Sequence, residues 1–200
     1  MTENILHAEE REIEAYTSLH PELSTAHHFV FNEIHPCGEN PLFVIMGINP
    51  GESAQGPVDC KTPWTKRINE YVGGRAFVMT ELFFWSSKNL NQFRERFGIL
   101  EESPHLDFCI RLNKRLIDVH KPRAVVCPGL GLISLCKTRF DLTHAETGRR
   151  GDGARVYEVF KGEDGIPWIF TKHWTGARGF TNEDKLLIKT AIQKEAPRDD

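Results

Sequence analysis

The chain has no apolar run near the roughly 18 residues that a membrane span needs. Its N-terminus also lacks the basic stretch followed by an apolar one that marks a secretory signal. A soluble intracellular protein, cytoplasmic or nucleoid-associated and without a membrane partner, is the expectation. Cysteine is sparse: five residues (Cys37, Cys60, Cys109, Cys127, Cys136), an odd number without a CxxC pair, predict reduced thiols rather than a disulfide framework or a zinc or iron-sulfur site. Gly129-Leu130-Gly131 lacks a third glycine at Ser134, no GKS or GKT follows a glycine-rich turn, and GxSxG and HExxH are absent. Nicotinamide, Walker-type and serine-hydrolase sites are thereby set aside, and neither a cofactor nor a metal is expected. Cys60 or Cys127 with His173 is a conceivable nucleophile and base, but a thiol inside an apolar run such as that of Cys127 is packing.

With 200 residues, 40% hydrophobic, the chain suits one domain with a sizeable core. The formal net charge of −3 is unevenly placed: residues 1–40 hold eight acidic side chains against Arg11 alone, leaving +4 for the remaining body. That balance is neutral towards a polyanionic partner. Five of the nine histidines (His7, His20, His27, His28, His35) crowd the same acidic segment, without familiar metal-ligand spacing, and are read as solvated loop residues.

Residues 3–19 place Ile5, Leu6, Ile13, Tyr16 and Leu19 at helical spacing among glutamates, which predicts an amphipathic helix with its acidic face in water. Three continuous apolar runs read as buried parallel strands: Leu42 to Met46, Ala76 to Met79 and Ala124 to Cys127. Ser103-Pro104 opens a helix that Lys121-Pro122 stops, and Leu130 to Cys136 suits a short helix. Val156 to Phe160 and Trp168 to Phe170 flank a hairpin-like turn at residues 162–165. Thr181-x-x-Asp184 is a capping box for the last helix. Strands alternating with helices give an α/β fold, with a mostly parallel central sheet and helices on both faces. The expected organisation is a single domain: an acidic segment over 1–40, a core over 41–193 and a frayed charged tail over 194–200.

Open parallel sheets bind ligands beyond the carboxyl ends of their strands. There the first run delivers Asn49 in Gly47-Ile48-Asn49-Pro50-Gly51, the second Thr80 and Glu81, and the last His173 followed by Trp174-Thr175-Gly176-Ala177-Arg178. Each has a plain reading as well: a turn, a structural histidine, a core tryptophan.

Taken together, GINPG after one buried strand and HWTGAR after a later one resemble the two signature motifs of the uracil-DNA glycosylase superfamily. The first is similar to that of the mismatch-specific and thymine-DNA glycosylase branch, the second to a variant of the HPSG or HPSP motif. The likeness covers roughly residues 42–180 and implies a monofunctional glycosylase of that fold, acting as a monomer on deaminated bases in single- or double-stranded DNA. By resemblance, Asn49, helped by the Pro50 carbonyl, holds the attacking water, and His173 donates to the departing base. Gly47, Ile48 and Gly51 shape the pocket with them. Trp64, after Pro63, is either the ring that stacks on the base or a core tryptophan.

Two departures bear on the substrate. Glu81 stands where many members carry an asparagine that reads uracil, so either Glu81 is protonated, or Thr80 or Asn89 substitutes, or the base is not uracil. Trp174 and Thr175 stand where proline and serine are usual. Thr175 keeps a hydroxyl for a phosphate, and Gly176, Ala177 and Arg178 fall where the family's wedge lies, with Arg178 able to stack and to pair with phosphate. Arg149 and Arg150 are either further backbone contacts or a solvated loop. The alternatives are a catalytically altered member that binds a nucleotide or nucleic acid without cutting, and a nucleosidase acting on free nucleosides.

Overall fold

The computed structural model describes residues 5–31, 41–51, 62–174 and 179–197. The apolar runs become the centre of a six-stranded sheet: β1 (Phe43–Gly47), β2 (Phe77–Glu81), β3 (Ala124–Pro128), β4 (Thr143–Arg149), β5 (Arg155–Lys161) and β6 (Pro167–Thr171), in the spatial order β2-β1-β3-β6-β5-β4. The pairs β2-β1, β1-β3 and β3-β6 are parallel, whereas β5 runs against its neighbours β6 and β4. Phe43 to Met46, Phe77 to Thr80 and all of β3 are buried, as strands covered on both faces must be. β5 and β6 form the expected hairpin, turned at Gly165 with φ 79°. β4 has no counterpart in the sequence reading, which left Arg149 in a loop. It is an edge strand of largely exposed polar residues, so it carries no apolar alternation, and its charged side chains blunt the open edge.

The connections place helices where right-handed crossovers require them. The chain leaves β1 through α2 (Pro63–Val72) to β2, then returns across β1 through α3 (Leu90–Phe97) and α4 (Pro104–His120) to β3. The two moves run in opposite directions, so α2 and α4 fall on opposite faces. α6 (Asn182–Glu195) packs beside α2, and α1 (Ile5–Leu19) beside α4, while α5 (Ile133–Arg139) follows β3. Local chemistry sets the ends. Thr62 Oγ1 accepts from Thr65 N at 3.1 Å ahead of Pro63, and Gly73 closes α2 at φ 69°. The capping box at Thr181 and Asp184 opens α6. Ser103 holds the N-cap position of α4, yet its buried hydroxyl makes no capping bond, a correction to the sequence reading.

The acidic face of α1 is only partly in water: Glu14 is exposed, whereas Glu9, Glu10 and Glu12 are tied to neighbouring segments. Glu9 is fully buried, with Arg115 of α4 donating from Nε to its Oε1 at 2.6 Å, and Glu12 pairs with Arg115 and Arg111. Glu10 accepts from the Phe31 backbone at 2.9 Å. Burial raises the Glu9 pKa, with the Arg115 bond opposing it. Leu6, Ile13, Leu23, Phe29 and Phe31 join the same core as the strands, so residues 5–31 are built into the fold. Of the tail expected to fray, residues 194–196 are tied down: Lys161 pairs with Glu195 at 2.5 Å, Lys194 pairs with Glu146, and Ala196 is buried. Arg115→Ala would leave the Glu9 carboxylate buried without its charge partner. The expected loss is about 3 kcal/mol in urea denaturation, the low end for a broken buried pair because the guanidinium is partly exposed. The double variant Glu9→Leu, Arg115→Met should recover most of that loss.

Cys109, Cys127 and Cys136 are buried thiols, and burial pushes the Cys127 pKa upward, so Cys127 is not a nucleophile for His173. Cys37 and Cys60 lie outside the described residues. Among the described residues no helix is long and apolar enough to cross a membrane.

Candidate active site

In the order β2-β1-β3 the chain departs from β1 to one side and later settles on the other, which makes the carboxyl ends of β1 and β3 a topological switch point. A cavity of about 1040 Å³ opens there. Its walls take Gly47 to Gly51 after β1, Met79 and Glu81 from the end of β2, Pro128 and Gly129 from β3, and His173 beyond β6. The volume is at the upper end for small-molecule sites, enough for a nucleobase with part of its sugar and phosphate.

The β1 exit is fastened to the chain that follows β2. Leu82 N and Phe83 N donate to the carbonyls of Gly47 and Ile48, each at 2.9 Å, and Ser87 N donates to that of Pro50 at 3.2 Å. Asn49 Nδ2 donates to Pro50 O at 3.1 Å and to Ser87 Oγ at 2.9 Å. Both amide protons are therefore spent inside the protein, and what Asn49 offers a ligand is its acceptor, Oδ1. The Pro50 carbonyl, expected to help hold a water, already accepts two bonds. Its part is to orient the Asn49 amide.

Gly47 and Glu81 are register partners across β1 and β2. The Glu81 carboxyl lies against the Gly47 backbone so closely that a Cβ at position 47 would overlap it, coming within 2.8 Å of Cδ. Glu81 Oε2 is covered and has no hydrogen-bond partner among the described residues. Burial pushes the Glu81 pKa up to about 8, so at neutral pH it is a carboxylic acid with one donor and one acceptor. Gly47→Ala should displace that carboxyl, costing about 1–3 kcal/mol of stability in thermal or urea unfolding and any ligand affinity that Glu81 supplies.

Thr80, the neighbour of Glu81, does not reach the cavity. Side chains alternate along a strand, so with Met79 and Glu81 on the cavity side Thr80 points to the other face, where Oγ1 donates to Asn113 Oδ1 of α4 at 2.6 Å. Asn113 Nδ2 in turn donates to the Glu81 carbonyl at 2.9 Å. Asn89, the other substitute considered, N-caps α3 and accepts from Asn91 N and Gln92 N, each at 3.0 Å.

The last segment of the site rests on one face of α2. Trp64, Arg67 and Tyr71, at positions i, i+3 and i+7, all meet it. The Trp64 ring lies 5.8 Å from that of exposed His173 at an interplanar angle of 14°. Tyr71 stacks on buried Trp174 at 4.3 Å and 20°, and Arg67 Nη1 donates to the Trp174 carbonyl. Trp174 thus has a packed seat that holds the chain next to His173. Trp64 is neither fully buried nor free of other duties: it lines the cavity and supports the imidazole.

No protein-family model matches the chain, and no curated protein matches it.

Thr175, Gly176, Ala177 and Arg178 lie outside the described residues. Arg149 and Arg150 are described, and neither lines the cavity. Arg149 donates to Gly153 O at 2.9 Å. Arg150 is held by Asp152 at 2.7 Å, by Asp184 at 3.4 Å and by the Gly179 carbonyl at 3.1 Å, so it joins the β4-β5 turn to the start of α6 rather than facing a phosphate. Sequence reasoning missed Arg67 and Tyr71, although their spacing from Trp64 carried the signal. It also missed the wall that includes Phe93, Arg94 and Ile99, a buried aromatic, an exposed cation and an exposed aliphatic whose mixed character marks no site in the sequence.

Proposed function

We propose that this protein is a monomeric, monofunctional DNA glycosylase of the uracil-DNA glycosylase type, which removes uracil or another deaminated base by water attack at the sugar carbon. The observation that carries the reading is that Asn49 and His173, 124 positions apart in the sequence, line one open cavity at the switch point of the sheet. A target nucleotide flips out of the DNA stack into that cavity, at a cost of a few kcal/mol. As the bond from C1′ to the base breaks, its electron pair goes to the base, and an N–H of His173 donates to the oxygen where the negative charge collects. One such donor contributes on the order of 3 kcal/mol. The electrophilic sugar carbon takes the oxygen of a water whose proton is hydrogen-bonded to Asn49 Oδ1, and that proton leaves with the solvent as the C–O bond forms. An amide is a weak base, which suffices for an electrophile that is already cation-like. Neutral Glu81, its carboxyl turned from Gly47 into the cavity that it lines, pairs with the base edge, accepting from N3–H and donating to O4 of uracil.

A second reading, hydrolysis of free nucleosides, is favoured by one observation: Arg150 is committed to two carboxylates and the backbone, which removes an expected phosphate contact. Incubation with uracil-containing single- and double-stranded DNA, scored for abasic sites beside free deoxyuridine, separates the two. The glycosylase reading requires abasic product from DNA that declines with added salt. Salt-insensitive release of uracil from deoxyuridine alone would establish the nucleosidase instead, and binding without product would leave a recognition protein.

A further inference from the structure

Three side chains outside the cavity converge where the N-terminal segment meets α4. His20 and Glu22 follow α1, and His105 comes from the first turn of α4. Their donor atoms, one from each residue, all lie within 4.8 Å of one another. Glu22 Oε1 is 3.3 Å from His20 Nδ1 and 3.3 Å from His105 Nε2. Those separations are long for N–H···O hydrogen bonds, which centre near 2.9 Å. They match the edge of a tetrahedron around zinc: bonds of 2.0–2.1 Å to nitrogen and oxygen put neighbouring ligands about 3.3–3.4 Å apart.

The surroundings are those of a ligand set. The Tyr16 hydroxyl lies 3.2 Å from His105 Nδ1. A histidine binding a metal through Nε2 carries its proton on Nδ1 and needs an acceptor there, and Tyr16 supplies one. Tyr16 is itself fixed by stacking on His20 at 4.1 Å and on Phe108 at 3.9 Å. His105 is buried, while His20 and Glu22 are open to solvent on the other side, which leaves a fourth position for water. Two imidazoles and one carboxylate suit a borderline divalent ion such as Zn²⁺ better than Mg²⁺ or Ca²⁺, which take oxygen ligands.

We propose that His20 Nδ1, Glu22 Oε1 and His105 Nε2 form a zinc site that fastens the N-terminal segment to α4. The ion closes a long loop between Glu22 and His105, so it restricts the unfolded chain as a cross-link does. None of its ligands lines the cavity, so the site is structural and independent of the proposed activity.

The test uses the full, untagged chain titrated with Co²⁺, followed by displacement with Zn²⁺. One Co²⁺ per chain with the visible absorption of a tetrahedral centre is expected. His20→Gln and Glu22→Gln, both at solvent-open positions, should each weaken binding by at least about 100-fold, and Tyr16→Phe by about tenfold. Zn²⁺ at a hundredfold excess over Kd should raise Tm by about 5–10 °C in the parent chain and not in Glu22→Gln. Metal-free Tm values of the two glutamine variants close to the parent value establish that they fold. Absence of Co²⁺ binding would overturn the proposal, as would an octahedral spectrum unchanged by the two substitutions. Equal loss in the control variants His7→Gln and His144→Gln would reduce it to adventitious surface binding.

Discussion

His173→Ala is expected to slow base release from uracil-containing DNA by about 10²–10³-fold with little change in DNA affinity. The imidazole acts only on charge that develops as the glycosidic bond breaks, so its removal lowers kcat and kcat/KM together. The exposed side chain leaves no core cavity behind, which makes the variant a fair test of chemistry rather than of folding. His173→Gln keeps an N–H donor and should retain part of the rate. Asn49→Ala is expected to lose as much, for two reasons that can be told apart. It removes the Oδ1 acceptor, and it releases the two bonds that tie the β1 exit to Pro50 and Ser87. Ser87→Ala cuts one of those bonds and leaves Oδ1 in place, so a smaller loss there assigns the remainder to the water-holding oxygen. Single-turnover formation of abasic sites is the measurement. Full activity in both His173→Ala and Asn49→Ala would remove the chemical basis of the proposed function.

Where the sequence was legible, one physical rule sufficed. β1, β2 and β3 announce themselves as unbroken apolar runs because both faces of a parallel strand are covered, and their carboxyl ends mark the cavity because the connections are right-handed. Several of the failures turn on partners distant in the chain. The α1 glutamates look solvated until Arg111 and Arg115 arrive from α4. Arg150 looks available until Asp184 neutralises it. β4 is invisible because an edge strand needs no apolar face. Thr80 could have been excluded by parity, since strand alternation forbids adjacent residues from sharing a face, and both it and Glu81 had been offered to one pocket. The histidines of the acidic segment had no sequence partner at ligand spacing, because His105 lies 85 residues beyond His20.

Glu81 carries the second large effect, in pH. With its pKa near 8, the group is a neutral acid over most of the physiological range. It then offers an acceptor to N3–H and a donor to O4. Above pH 8 it presents two acceptors, one of them facing a carbonyl oxygen, so release of uracil should fall about tenfold for each further unit of pH. Glu81→Gln has a donor and an acceptor at every pH and is expected to abolish that alkaline limb. The same carboxyl ties activity to stability. Its unfolded value is 4.5, so between pH 4.5 and about 8 the folded chain binds more protons than the unfolded one. Stability from this group is complete below pH 4.5 and is lost progressively up to about pH 8. At 1.36 kcal/mol per unit of pKa the whole loss has a ceiling of about 5 kcal/mol. The Tm advantage of Glu81→Gln over the parent should therefore grow from pH 4.5 to about 8 and level off beyond it. A difference that stays flat across that window would mean that Glu81 is ionised against Gly47. The base read by this cavity would then have to present an amine rather than a carbonyl to it.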